Sequence, residues 1–223
     1  MSPSIPACSP VQTDVQVLHA EDSLLVLDKP SGLLSVPGRG ADKQDCVATR
    51  MQALHADALI VHRLDMATSG LMLLARGAAA QRRLSIAFAQ REVSKRYIAV
   101  VAGLVSADRA EIDLPLLTDW PNRPLQRVDH GHGKASLTRY RVLSRDPAAN
   151  TTRVELEPVT GRSHQLRVHL REIGHPILGD ALYAPPHVHA QAARLLLHAS
   201  WLSFAHPVTG AILQFQSVAP FRV

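Results

Sequence analysis

Aromatic side chains are scarce in this chain: Phe 4, Tyr 3 and Trp 2, together 4% of 223 residues. A core with so few rings must be packed from aliphatic side chains, and an apolar content of 46% is enough for one. Two cysteines, Cys8 and Cys46, exclude a disulfide framework and suit a reducing compartment. No apolar run reaches the ~20 residues of a membrane-spanning helix, so no membrane partner is expected. Met1-Ser2-Pro3-Ser4 lacks the basic start of a secretory signal, and the expected location is the cytoplasm. Acidic residues are outnumbered: Asp and Glu total 19 against 24 for Lys and Arg, a net charge of +5 with a pI near 9.7. That balance favours a polyanionic partner. Most of the cations are Arg, whose planar fork matches phosphate and stacks on bases.

The length allows one large domain or two small lobes. Residues 1–14 hold three prolines and are expected to form a flexible lead-in, leaving 15–223 as the folded domain. Strands are expected over 15–18, 24–27, 70–75, 93–101, 137–144, 153–156, 195–204 and 211–215, from their apolar runs and alternations. Helices are expected over 46–55, 78–91 and 163–173. In the last, Leu166, Leu170 and Ile173 share one face, while His164, Arg167 and Arg171 share another. Residues 115–133, with three prolines and two glycines, read as a long loop. Strands with interspersed helices, without regular β-α alternation, predict an α+β fold around a mixed, largely antiparallel sheet. No coiled-coil pattern is present, so a monomer is expected.

The most informative stretch is His62-Arg63-Leu64-Asp65-Met66-Ala67-Thr68-Ser69-Gly70. It sets one carboxylate among cationic and hydroxyl side chains, and only Leu64 and Met66 suit a core. The apolar run of 70–75 follows at once, so a polar loop is held at the end of a rigid element, where catalytic groups are commonly placed. Thr68, Ser69 and Gly70 suit bracing of that loop.

This nonapeptide resembles the H-R-L-D-x-x-T-S-G signature of the RluA-type pseudouridine synthases. Asp28-Lys29-Pro30-Ser31-Gly32, Lys95-Arg96-Tyr97 and Gly161-Arg162-Ser163-His164-Gln165-Leu166-Arg167-Val168-His169 resemble the family's three other motifs, and the likeness spans most of the chain. Thr118-Asp119-Trp120-Pro121-Asn122-Arg123-Pro124 is closer to the RluA subgroup, which acts on a tRNA anticodon-loop uridine and on 23S rRNA. The resemblance implies a pseudouridine synthase catalytic domain with a central active-site cleft. It also implies no S4 domain: the strands begin within twenty residues of Met1, and the subgroup lacks that domain. Asp65 would be the catalytic residue, Tyr97 would line the pocket, and Arg167 would pair with Asp65.

The chemistry is consistent with that reading. Pseudouridylation breaks a glycosidic bond, turns the uracil and rejoins it through carbon, so no cofactor is required and one ionised carboxylate suffices. Whether Asp65 attacks the sugar, attacks the base or promotes elimination is open in the sequence. A guanidinium beside it would favour and orient the charged form. Tyr97 offers a face to uracil and a hydroxyl for proton movement. A stacked uridine must be flipped out to react, and Arg63 is suited to fill its place; a phosphate clamp or structural ion pair is the competing role. His62 and Leu166 are expected to line the uridine site. Lys29, Arg123, Arg127, Arg162 and Arg171 are candidate phosphate contacts, though each taken singly could be an ordinary surface cation.

No metal is expected. His187-Val188-His189 is a tight His pair, but it has no matching Cys or carboxylate set. Two other functions compete: a non-catalytic structured-RNA-binding module on the same fold, and a hydrolase pairing Asp65 with His62. The combined presence of Asp65, Tyr97 and Arg167 argues against the first. The absence of a second acid/base carboxylate, a GxSxG elbow or a metal motif argues against the second.

Overall fold

The computed structural model describes residues 15–221; the expected lead-in over 1–14 lies outside the described residues. Twelve strands and four α-helices are present among them. In chain order they are β1 (Gln16–Ala20), β2 (Leu24–Lys29), α1 (Val47–Leu54), β3 (Ala58–Ile60), β4 (Ser69–Arg76), α2 (Ala78–Gln90) and β5 (Ser94–Ala102). There follow β6 (Arg109–Asp113), β7 (Leu116–Thr118), β8 (Gln126–Val128), β9 (Leu137–Asp146), β10 (Thr151–Pro158), α3 (Gln165–Glu172), α4 (Pro186–His189), β11 (Leu197–Ala205) and β12 (Ile212–Gln216). One sheet runs β1-β2-β4-β11-β5-β10-β9-β6, with β3 added at β4 and β12 at β11. Every pairing is antiparallel except β4 with β11. The fold is α+β on a mixed, largely antiparallel sheet.

Two clusters make up most of the aliphatic core. One cluster joins β2 and β4 to α1 and α2 through Leu25, Leu27, Met51, Leu73 and Leu84. The other joins β5 and β10 to α3 through Val101, Val154, Leu156 and Leu170. Each fully buried Leu or Val contributes on the order of 1.5–3 kcal/mol relative to exposure, so each half carries its own share of stability. Tyr97 packs against both clusters and marks the seam.

The halves meet where β4 runs parallel to β11, with His198 opposite Ser69 and Ala199 opposite Gly70. Gly70 has φ +109°, and a Cβ there would lie 2.3 Å from the Ala199 carbonyl oxygen. Only glycine permits that approach. The last residue of the signature stretch is therefore needed for sheet closure directly beside the Asp65 loop.

One sequence expectation about the fold needs correction. Residues 115–133 are not one loop: Leu116–Thr118 and Gln126–Val128 pair as the β7–β8 hairpin. Strands of three residues are too short to show alternation among prolines and glycines, and β3 and the charged β6 were missed for similar reasons. In α3 the face that carries Arg167 is covered. Every residue from Gln165 to Leu170 is buried, Arg167 included, because the 178–184 segment folds over that face. Periodicity alone does not register a partner supplied from elsewhere in the chain.

Candidate active site

Asp65 sits in the loop between β3 and β4, on the wall of a cleft of about 560 Å³ at the seam of the two halves. A cleft of that volume is ordinary for a small-ligand site. The cleft brings together Arg63, Asp65, Tyr97, Leu166 and Arg167, with Arg162 at its edge.

The carboxylate is held by α3. Arg167 donates through Nη1 to Asp65 Oδ2 at 3.1 Å. Its other edge is committed to Asp180: Nε donates to Oδ2 at 2.8 Å and Nη2 to Oδ1 at 2.7 Å. Arg167 is 4% exposed and Asp180 1%. Burial works against the guanidinium charge, but Asp180 and Asp65 hold its pKa above the usual value. Asp180 is itself fixed, since Oδ1 accepts from the N–H groups of Leu182 at 2.9 Å and Tyr183 at 3.1 Å. The result is a carboxylate–guanidinium–carboxylate chain in which only Asp65 faces open space.

His164, at the N-terminal end of α3 with φ +54°, brings Nε2 to 3.8 Å from Asp65 Oδ1. Its Nδ1 lies 2.6 Å from the Tyr183 hydroxyl. Tyr183 also lies beneath the Arg167 and Arg171 guanidiniums, 5.0 and 5.3 Å from its ring centre.

Tyr97 comes from β5 and is half-buried. Burial, reinforced by the charge of Asp65, keeps its phenol protonated well beyond the ordinary tyrosine range. Arg63 is exposed on the rim beside the carboxylate, and Leu166 is a buried apolar wall.

His62 lines the cleft with its acceptor nitrogen occupied. Nε2 accepts the Leu73 N–H of β4 at 2.9 Å, and the ring stacks on Phe88 of α2 at 4.5 Å. Burial, assisted by the Lys95 charge, pushes its pKa down to about 3. It is a neutral imidazole that fastens the loop's first residue.

Lys29, expected against phosphate, must be reassigned. It is 0% exposed, and its ammonium donates to the carbonyls of Pro30 and Leu33 at 2.8 Å and of Met66 at 3.1 Å. Burial pushes its pKa down to about 7, opposed by Asp65 and assisted by Arg194. With every N–H on a carbonyl, it anchors the Asp65 loop to the 30–33 turn and has no face toward RNA. Ser69 completes the brace, accepting from Arg194 Nη2 at 2.5 Å and bonding His198 Nδ1 at 2.9 Å.

The remaining cations are dispersed. Arg123 lies away from the cleft at the β7–β8 tip, its guanidinium 3.9 Å from the ring centre of Trp120, which is 67% exposed. Arg127 is exposed beside Asp129, and Arg171 is half-buried against Glu172. Arg162 is exposed, with one hydrogen bond from Nε to the Ala135 carbonyl at 3.3 Å. Among the described residues no group of three or more His, Cys, Asp or Glu could hold a metal, and no helix is long and apolar enough to cross a membrane.

Asp180 and Tyr183 escaped the sequence reading. The available signal was local: an Asp directly after Leu178-Gly179 in an apolar stretch. Gly179 has φ +72°, and a Cβ there would lie 1.9 Å from the Arg194 carbonyl oxygen, so the segment is pressed against the chain that leads into β11.

A carboxylate oriented by a buried arginine beside a sheltered tyrosine lines the cleft, and a family model described as RNA pseudouridylate synthase matches residues 23–172. The chain belongs to that family and is a pseudouridine synthase. It is 51% identical over 205 residues to the Dual-specificity RNA pseudouridine synthase RluA of Yersinia pestis, covering 92% of this chain and 99% of that protein. It is 50% identical over 205 residues to the protein of the same description from Escherichia coli K12, covering 92% and 93%. Among solved structures, Human RNA Pseudouridylate Synthase Domain Containing 1 superposes with a TM-score of 0.79 at 25% identity, covering 100% of this chain and 88% of that one.

Proposed function

We propose that this pseudouridine synthase isomerises uridines in structured RNA, in a tRNA anticodon loop and in a 23S rRNA hairpin, and that residues 15–223 are its catalytic domain. The dual specificity follows that of the RluA relatives. The observation that carries the site assignment is the Arg167 guanidinium shared between Asp65 and the buried Asp180. It orients Asp65 in the cleft. In the reaction the C1′–N1 bond breaks and a C1′–C5 bond forms. C5 loses a proton and N1 gains one, so the reaction balances without a co-reactant.

Asp65 is the catalytic carboxylate. Tyr97 stacks on the flipped uracil, and its protonated hydroxyl is placed to move a proton. Arg63, exposed beside Asp65, takes the place the uridine leaves, and Leu166 backs the base. The exposed Arg162 at the cleft's edge and the Trp120–Arg123 pair on the β7–β8 hairpin outside it meet RNA backbone and bases. The protein acts as a cytoplasmic monomer.

The deciding experiment incubates purified protein with tRNA and 23S rRNA fragments and maps pseudouridine by carbodiimide-dependent reverse-transcriptase stops. Asp65→Ala is run in parallel. Stops in both RNAs that vanish in the variant are expected. Stops that persist in Asp65→Ala would remove Asp65 from its role, and stops in a single RNA would reduce the specificity to that RNA.

A further inference from the structure

The hairpin and the catalytic carboxylate are joined by two side chains. Gln126, the first residue of β8, donates its N–H to the Tyr183 hydroxyl oxygen at 2.9 Å. With that lone pair taken, the hydroxyl proton is free to donate to His164 Nδ1 at 2.6 Å. If the hydroxyl donates there, His164 carries its proton on Nε2, which lies 3.8 Å from Asp65 Oδ1. That distance is a small side-chain rotation away from a hydrogen bond, as expected of a catalytic contact without substrate. The linkage is distinct from the Arg167–Asp180 pair, which grips the other carboxylate oxygen.

We propose that His164 and Tyr183 are positioning residues that tie Asp65 to the β7–β8 hairpin, so that seating of the hairpin on RNA sets the orientation of the reacting carboxylate. This rests on the assignment of Asp65 as the catalytic group and of the hairpin as an RNA contact. A neutral His164 offers Asp65 a directed N–H without neutralising it. A protonated His164 would clamp the carboxylate as an ion pair and blunt it. The groups facing the imidazole are Asp65 and Arg63 from the loop, Arg167 from α3, and Asp180 and Tyr183 from the 178–184 segment. Burial and the two arginines favour the neutral ring, while Asp65 and Asp180 oppose them, and the pKa is lowered.

Two variants test the linkage at its two ends. Tyr183→Phe keeps the ring against Arg167 and Arg171 and removes the hydroxyl. His164→Asn suits the left-handed backbone and keeps an acceptor near Nδ1, but has nothing to reach Asp65. Single-turnover rates at saturating RNA, RNA Kd and the pH profile of the rate are measured for both, with melting curves as a control on folding. Each variant should lose about tenfold or more in rate, a factor that 1.36 kcal/mol of barrier produces, with Kd unchanged within about twofold. Loss of the donor at Nδ1 should move the acid limb of the profile to higher pH in Tyr183→Phe, and His164→Asn should abolish that limb.

Wild-type rates and an unmoved acid limb would overturn the proposal, as would a loss confined to Kd. Histidine-ring NMR of the wild type gives a readout independent of turnover. An Nε2–H tautomer that persists below pH 6.5 in the wild type, and protonates earlier in Tyr183→Phe, is expected; the opposite tautomer overturns the linkage. If Asp65→Ala stays active, the underlying assignment fails instead. If Asp65 is essential and both variants behave as wild type, only the linkage fails.

Discussion

Arg167 keeps its charge where water has almost no access, and two carboxylates make that tolerable. Breaking a buried pair from one side leaves an uncompensated charge, so Asp180→Ala should lower stability by about 3–5 kcal/mol in urea denaturation. Asp180→Asn keeps the acceptor for the Leu182 and Tyr183 N–H groups and should lower stability less. It still leaves Arg167 less firmly placed, so single-turnover rate should fall. Arg167→Met should cut turnover by about 100-fold or more, since misplacement of a reacting group by about 1 Å has that effect. RNA affinity should change far less; equal losses in rate and affinity would argue against the pairing with Asp65. Tyr97→Phe separates the roles of ring and hydroxyl. Retained binding with lost product assigns the hydroxyl to proton movement, whereas full activity would leave Tyr97 only its stacking face.

At the scale of elements, the Asp65 loop is held by contacts that do not involve substrate. Gly70→Ala forces a Cβ onto the Ala199 backbone at a positive φ. Strain of about 1–3 kcal/mol is expected from the backbone alone, and the clash with β11 adds to it, so the melting temperature should fall sharply. An unchanged melting temperature would refute this account of the sheet closure. His62 makes the loop sensitive to acid. Its pKa is about 3 in the folded chain against 6.5 in the free side chain, so the unfolded state binds the extra proton between those limits. Stability from this group is fully present above pH 6.5 and is lost as pH falls toward 3, at up to about 1.4 kcal/mol per pH unit. His62→Gln can still accept the Leu73 N–H, and a shallower fall in stability between pH 7.5 and 5.0 is the expected result in denaturant titrations.

For the whole molecule, the cleft lies where two aliphatic clusters meet beside one short parallel contact, and of the cations that could grip RNA, Arg162 lines the cleft while Arg123 stands away from it. If Arg123 and Arg162 each meet a phosphate, neutralising either to Gln should weaken RNA binding and reduce the slope of log Kd against log salt by about 0.7–0.9. A slope that does not move would return them to ordinary surface cations. The legible parts of this architecture were those with local signals. The α1 and α2 helices, the buried run of β4 and the signature loop could be read directly from period and residue type. The β7–β8 hairpin could not, because its strands are too short for alternation to show. The role of Lys29 was misjudged because a lysine in a turn motif ordinarily projects into solvent, and nothing nearby in sequence reveals three carbonyls closing over it.

By itself the sequence determined the reagents: a single carboxylate in a polar loop ahead of an apolar strand, a Tyr and an Arg in separate motifs, a basic balance suited to a polyanion, and enough aliphatic residues for an α+β core. These follow from residue type and spacing along one stretch of chain. Tertiary structure alone decided that Arg167 is buried, that Asp180 and Tyr183 complete the site, and that His62 and Lys29 fasten the loop. Each of those depends on a partner more than ten residues away in the chain. Burial and hydrogen-bond completion arise from how distant segments pack, and local periodicity carries no record of that packing.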